Sequence, residues 1–235
     1  MMPAAIVIPW RGGCLHREQA LGWIVDRYRQ QGFDVTVAEG PPGPWVKASA
    51  VNPAVEASSA ELVAMVDADC WVPGLLSAIE AVADGAPWAI PHKLVHRLTE
   101  VRTAAVLAGA DPADSDPKHD LDEAPYRGFA GGGCVVIPKA TYLDVPLDPR
   151  FEGWSGEDES WARALSTLAG EPWRGDAPLF HLWHPPQPRM NRRHGSAQSQ
   201  ALTFNYRQAK GRPDRMRQII EEARSWRRSS STVEA

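Results

Sequence analysis

Cysteine is scarce in this sequence. Cys14, Cys70 and Cys134 are odd in number and far apart, so they fit neither a disulfide framework nor a zinc spacing, and reduced thiols are the expectation. Long hydrophobic runs are missing too: no apolar stretch reaches the roughly eighteen residues that a membrane-spanning helix needs. The opening segment, Met1 to Pro9, carries no charged leader and no cleavage site. It reads as a first strand rather than a secretory signal, and a cytoplasmic protein is expected. No internal repeat is visible. The 235 residues are 43% hydrophobic and 23% charged, which excludes a disordered or fibrous chain and suits one sizeable α/β domain.

Charge is present but unevenly spread. The net charge of −4 hides an acidic body and a basic tail. Residues 1–188 hold 14 basic and 25 acidic residues, whereas residues 189–235 hold 11 basic and 4 acidic ones. The body suits a cation site. The tail is read first as a solvated helix face and second as a dock for an anion or an acidic partner.

Strand and helix patterns alternate. Strands are expected at Ala4–Pro9, Asp34–Glu39, Leu62–Val66, Trp88–Ile90, Gly132–Ile137 and Leu179–Trp183. Helices are expected at His16–Gln31, Val46–Ala57 with an interruption at Asn52-Pro53, Gly74–Ala83, Leu94–Leu107, Glu157–Leu168, Ala197–Gln208 and Pro213–Trp226. Asp111–Pro125 reads as an acidic surface loop. The alternation implies a mixed, mostly parallel sheet with helices on both faces, and ligands of such sheets gather at the carboxyl ends of the strands.

Four segments carry polar groups suited to chemistry. The apolar strand Leu62–Val66 ends in Asp67-Ala68-Asp69, two hard oxygen donors at a sheet edge where a divalent ion binds together with phosphate oxygens. His181 and His184 lie three residues apart; both face one ion only if the chain turns near Trp183, and imidazole beside carboxylate favours Mn²⁺ over Ca²⁺. In Phe151-Glu152-Gly153-Trp154-Ser155-Gly156-Glu157-Asp158, two glycines bracket an aromatic suited to stack on a sugar ring. Glu157 and Asp158 then open a helix, where a carboxylate can serve as general base toward a hydroxyl. The fourth segment, Gly131-Gly132-Gly133, allows close backbone approach to a ligand.

In this order the motifs resemble the GT-A glycosyltransferases, most nearly the branch of the β-1,4-galactosyltransferases and the polypeptide N-acetylgalactosaminyltransferases. The resemblance spans roughly residues 4–195 and rests chiefly on Gly153-Trp154-Ser155-Gly156-Glu157-Asp158. It implies a GT-A domain over 1–195 followed by a basic helical extension over 196–235. It implies that Pro9 and Arg11 line the nucleotide diphosphate pocket and that Glu39 meets the nucleobase or ribose. Asp67 would lie at the donor and Asp69 on the metal, Mn²⁺ or Mg²⁺, with His181 and His184 completing the ligand set. Gly132, Gly133 and Trp154 would shape the sugar site, and Arg193 would close over the donor. Glu157 would bind the acceptor and Asp158 would act as base, giving transfer with inversion. The implied partners are a nucleoside-diphosphate sugar, UDP-sugar foremost, and a glycan, protein or small-molecule acceptor, with no nucleic acid. A metal-dependent phosphoesterase or nucleotidyltransferase is the competing expectation, and a non-catalytic anion or nucleic-acid binder is the third.

Overall fold

The computed structural model describes residues 4–128, 130–153, 156–186 and 196–231. Seven strands form one sheet in the order β2-β1-β3-β6-β5-β7-β4. They are β1 (Ala4–Trp10), β2 (Asp34–Glu39), β3 (Leu62–Val66), β4 (Cys70–Trp71), β5 (Ala89–Arg97), β6 (Cys134–Pro138) and β7 (Trp173–His181). The pairings make β1, β2, β3, β5 and β7 point one way, while β6 and β4 run against them.

The period-2 alternation of strand side chains explains why all five residues of β3 are buried: each face of the sheet is covered. On one face Ile6, Ile8, Ala64 and Val66 meet Ile24 and Tyr28 of α1 (Leu15–Gln30) and Ile79 of α3 (Leu75–Ala83). On the other, Val7, Val63 and Met65 meet Val51 and Val55 of α2 (Lys47–Ala57) and Trp161 and Leu165 of α6 (Glu157–Leu168). The helices of the basic segment, α7 (Ala197–Ala209) and α8 (Pro213–Ser231), join this second core through the fully buried Tyr206 and Met216. Tyr206 donates to Asp148 Oδ2 at 3.1 Å, and Arg150 pairs with the same oxygen at 2.7 Å. Among the described residues no helix is long and apolar enough to cross a membrane.

Three expected elements differ. The last strand, expected at Leu179–Trp183, begins six residues earlier and ends sooner, as β7 (Trp173–His181), because it pairs along most of β5. Leu94 to Arg97 extend β5 rather than opening a helix, and the helix there is only α4 (Glu100–Leu107). Thr99 is the reason: its side chain accepts from Arg102 N and starts the helix there, while residues 94–97 pair with β7. Helix α2 runs through Asn52-Pro53 without a break. Pro53 forfeits one intrahelical hydrogen bond, but the buried Asn52 ties the helix down by donating to Leu147 O and accepting from Tyr142 Oη. The pair Cys70–Trp71 and the short α5 (Lys139–Asp144) carry no clear periodicity in the sequence.

Candidate active site

A cleft of about 1110 Å³ opens at the carboxyl ends of β1 and β3. Pro9, Asp67, Asp69, Gly132, Gly133, Glu157, Asp158, His181 and His184 all line it. Arg11 and Glu39 are exposed and stand outside its lining, although Glu39 pairs in register with Trp10 at the sheet end. Trp154 and Arg193 lie outside the described residues, as does the rest of the 191–194 segment.

Asp69 follows the end of β3 and is 6% exposed. Strand β4 pairs antiparallel with β7, bringing Cys70 opposite His181, and Leu182 N donates to Asp69 O at 2.8 Å. Past His181 the strand ends, and Trp183 N is caught by Thr103 Oγ1 at 2.8 Å. This is the turn that two imidazoles three residues apart require. His181 Nε2 then lies 3.8 Å from Asp69 Oδ1, and His184 Nε2 lies 3.3 Å from Asp69 Oδ2. His184 Nδ1 lies 2.9 Å from Pro185 O; donating there leaves Nε2 free to face the carboxylate. Burial opposes ionisation of Asp69, but His181, His184 and Arg17 outweigh it and hold its pKa well below the usual carboxylate range. Burial pushes His181 down, whereas Asp69 lifts His184 above the ordinary imidazole value against its burial.

Asp69, Cys70 and His181 bring ligand atoms within 4.8 Å of one another, a spacing that fits a divalent ion, whereas His184 stands outside that group and meets the other Asp69 oxygen. Bonds of about 2.1 Å to one ion set neighbouring ligand atoms about 3 to 4.2 Å apart, and the Asp69–His181 and Asp69–His184 separations of 3.8 and 3.3 Å fall in that range. The Cys70 thiol donates to Asp69 Oδ1 at 3.5 Å, the oxygen that His181 also faces. Burial pushes that thiol up, which keeps it protonated as a support to the carboxylate.

A second cluster lies across the cleft. Lys47 opens α2, is 8% exposed, and bridges Asp67 Oδ1 at 2.9 Å and Asp158 Oδ1 at 3.1 Å. Burial opposes its charge, but Asp158, Asp67 and Glu157 together raise its pKa well above the ordinary lysine value. Asp67 also accepts from Gly133 N at 3.0 Å through Oδ2, and its own N–H donates to Gly133 O at 2.9 Å. Asp158 is the second residue of α6. Its pKa is raised by desolvation and by Asp67, with Lys47 pulling the other way. The glycine run acts as a clamp rather than a plain linker. A Cβ on Gly131 would stand 2.2 Å from Asp158 O, and one on Gly133, whose φ is +74°, would stand 2.5 Å from Leu179 Cδ1. Only glycine lets the start of α6 come this close to β6.

Sequence reasoning missed Lys47, Arg17 and Arg97. Arg17 Nε pairs with Asp69 Oδ2 at 3.1 Å, and Arg97 Nη1 lies 3.4 Å from His181 Nε2. The signal was available: Lys47 and Arg17 are cations in first helical turns, where the helix dipole disfavours positive charge. Each is placed there by an acid at the end of β3.

No protein-family model matches the chain, and no curated protein matches it significantly in sequence. Solved structures do match. GalNAc-T7, in a complex with UDP, GalNAc and Mn²⁺, superposes with a TM-score of 0.55 at 10% identity over 95% of this chain and 55% of its own. Glucosyl-3-phosphoglycerate synthase from Mycobacterium tuberculosis, with Mn²⁺, UDP and phosphoglyceric acid, gives 0.49 at 14% identity over 90% and 79%. Drosophila β-1,4-galactosyltransferase 7, with manganese, UDP-Gal and xylobiose, gives 0.46 at 16% identity over 84% and 69%. The chain thus spans about half the length of GalNAc-T7. A single sheet whose third strand delivers Asp67 and Asp69 to a cleft, with 95% of this chain superposing on 55% of GalNAc-T7, gives this chain the GT-A glycosyltransferase fold.

Proposed function

We propose that the protein is a metal-dependent glycosyltransferase that moves a sugar from a nucleoside-diphosphate donor, UDP-sugar foremost, to an acceptor hydroxyl. The observation that carries this reading is the meeting, in one cleft, of a carboxylate–imidazole donor set and a separate carboxylate of raised pKa. Asp69, His181 and His184 would hold Mn²⁺ or Mg²⁺. When bound, the ion supplies Lewis-acid stabilisation of the charge that grows on the departing diphosphate.

The remaining steps belong to the chain. Asp158 accepts the acceptor hydroxyl's proton as that oxygen attacks the sugar carbon, and its raised pKa brings it nearer the operating pH, where a general base is most effective. Lys47 fixes Asp158 Oδ1 and leaves Oδ2 for the acceptor. Attack opposite the leaving group makes the transfer a single displacement with inversion. Glu157, beside Asp158 on the cleft wall, is assigned to the acceptor, and Gly132, Gly133 and Trp154 to the sugar. Pro9 and Asp67 face the donor. Arg193 keeps its assignment to closure over the donor, whereas Arg11 and Glu39, exposed and outside the cleft lining, are given no donor contact. Solubility in the cytoplasm completes the reading.

The test is a screen of nucleoside-diphosphate sugars with Mn²⁺, read by release of nucleoside diphosphate, beside calorimetric binding of the same donors. Turnover or tight, metal-dependent binding of one donor supports the assignment. Binding of none, with or without metal, refutes it.

A further inference from the structure

Asp69 and His181 are both engaged by guanidinium groups. Asp69 Oδ2, the oxygen nearest His184 Nε2, also takes Arg17 Nε at 3.1 Å, and both side chains of that pair are about nine-tenths buried, at 12% and 8% exposure. The Arg17 guanidinium lies 5.6 Å from the ring centroid of Trp10, which backs it against the cleft wall. On the other side Arg97 reaches His181 Nε2 at 3.4 Å. The two arginines are not equivalent. Arg97 also holds Glu123 at 3.2 Å and Tyr126 Oη at 2.9 Å, so it keeps partners if His181 is taken from it. Arg17 has Asp69 as its carboxylate.

The geometry points to Arg17 as an internal counter-ion that occupies Asp69 in the metal-free protein and must yield that oxygen to the metal. This inference rests on the metal-site reading above with His184 among the ligands, because His184 and Arg17 meet the same oxygen, Oδ2, whereas His181 and Cys70 meet Oδ1. A divalent ion and a guanidinium cannot share one carboxylate oxygen in a partly dry site without strong repulsion. Metal binding therefore bears the cost of breaking the Arg17–Asp69 pair. A diphosphate that binds beside the ion offers the released guanidinium a new anionic partner. Metal and nucleotide binding are then positively coupled through Arg17, and by linkage each tightens the other by the same factor.

The experiment titrates Mn²⁺ alone against the full chain at pH 7.5, following the free-ion signal by electron paramagnetic resonance, and repeats the titration with UDP. Arg17→Gln is expected to bind Mn²⁺ alone about tenfold more tightly than wild type, the scale of one charge-assisted hydrogen bond. Arg17→Lys, which keeps the charge, is expected to stay near wild type. The tightening that UDP confers on Mn²⁺ is expected to shrink in Arg17→Gln. Circular dichroism of each variant verifies the fold, and Asp69→Asn serves as the form that loses the ion. Unchanged or weaker Mn²⁺ binding in Arg17→Gln overturns the proposal, as does equal tightening in Arg17→Lys. Failure of every form to bind Mn²⁺, with or without UDP, overturns the metal-site reading and this proposal together.

Discussion

The cleft has two acidic poles, and they differ in how many cations each carboxylate has to itself. At one pole Asp69 alone faces Arg17, His181 and His184. At the other, Asp67 and Asp158 share Lys47 between them, with Glu157 adding further negative charge to the lysine's surroundings. Burial pushes both Asp69 and Asp158 toward the neutral acid, yet only Asp158 ends above its ordinary value. Local charge count, not depth, separates the carboxylate proposed as a metal ligand from the one proposed to take a proton.

Removing the proposed base has the largest expected effect on this contrast. Asp158→Asn keeps the size and the contact with Lys47 but cannot accept a proton. Turnover is expected to fall by about 10²- to 10⁴-fold while donor binding by calorimetry stays close to wild type. A loss of donor affinity equal to the loss of rate would assign Asp158 to donor binding instead.

A change of one methyl group tests the clamp that sets the second pole in place. Gly131→Ala drives a Cβ into the backbone carbonyl of Asp158 at 2.2 Å, so the start of α6 must move. Overpacking of this kind costs about 1–3 kcal/mol, and the displaced Asp158 should lower turnover as well. Gly22→Ala, on an exposed turn of α1 with nothing within 4 Å, is the control and should stabilise slightly, by up to about 1 kcal/mol, in urea unfolding.

Lys47→Met takes away the cation that the second pole shares. Complete burial would make the loss about 3–5 kcal/mol, but Asp67 and Asp158 keep 30% and 27% of their side-chain exposure, so about 2 kcal/mol is expected. The folded-state pKa of Asp158, already above its unfolded value, rises further. A group of that sign favours folding below its unfolded pKa and loses that contribution as pH rises through the folded pKa. The deficit of Lys47→Met should therefore widen as pH rises above the ordinary carboxylate value of about 4, and the acid limb of its rate profile should move to higher pH. A deficit independent of pH would mean that the lysine stem, not its charge, matters.

Much of this was legible in the sequence and part was not. The apolar run Leu62–Val66 ending in two aspartates specified β3 and the cleft edge, because a strand covered on both faces must be continuously apolar until it reaches the polar mouth. The histidine pair could be read because strand geometry alone demanded a turn at Trp183, and Thr103 supplies the bond that makes it. Arg97 is harder to read: its segment has helical spacing in sequence, and its approach to His181 depends on β5 pairing with β7, a long-range event. Lys47 and Arg17 needed the acids of β3 as partners to explain their first-turn positions, and those acids are distant in sequence.

The smallest expected effect lies one residue beyond Asp158. Glu159 follows Asp158 on α6 but points away from Lys47, to Arg207 at 2.7 Å and Arg163 at 2.8 Å. Hydrogen bonds from Arg207 and then Arg163 lower its pKa, the opposite of what its neighbour experiences. Arg207 is 55% exposed, so solvent screens the pair, and Arg207→Ala should cost less than about 1 kcal/mol. A depressed carboxylate stabilises the fold above its unfolded pKa and loses that contribution as pH falls through the folded value. The small deficit of Arg207→Ala should thus be present at neutral pH, fade below about pH 4, and shrink with added salt. A deficit that persists in acid and in salt would mean that Arg207 anchors α7 to α6 by packing, and that the contrast between adjacent acids owes nothing to this charge.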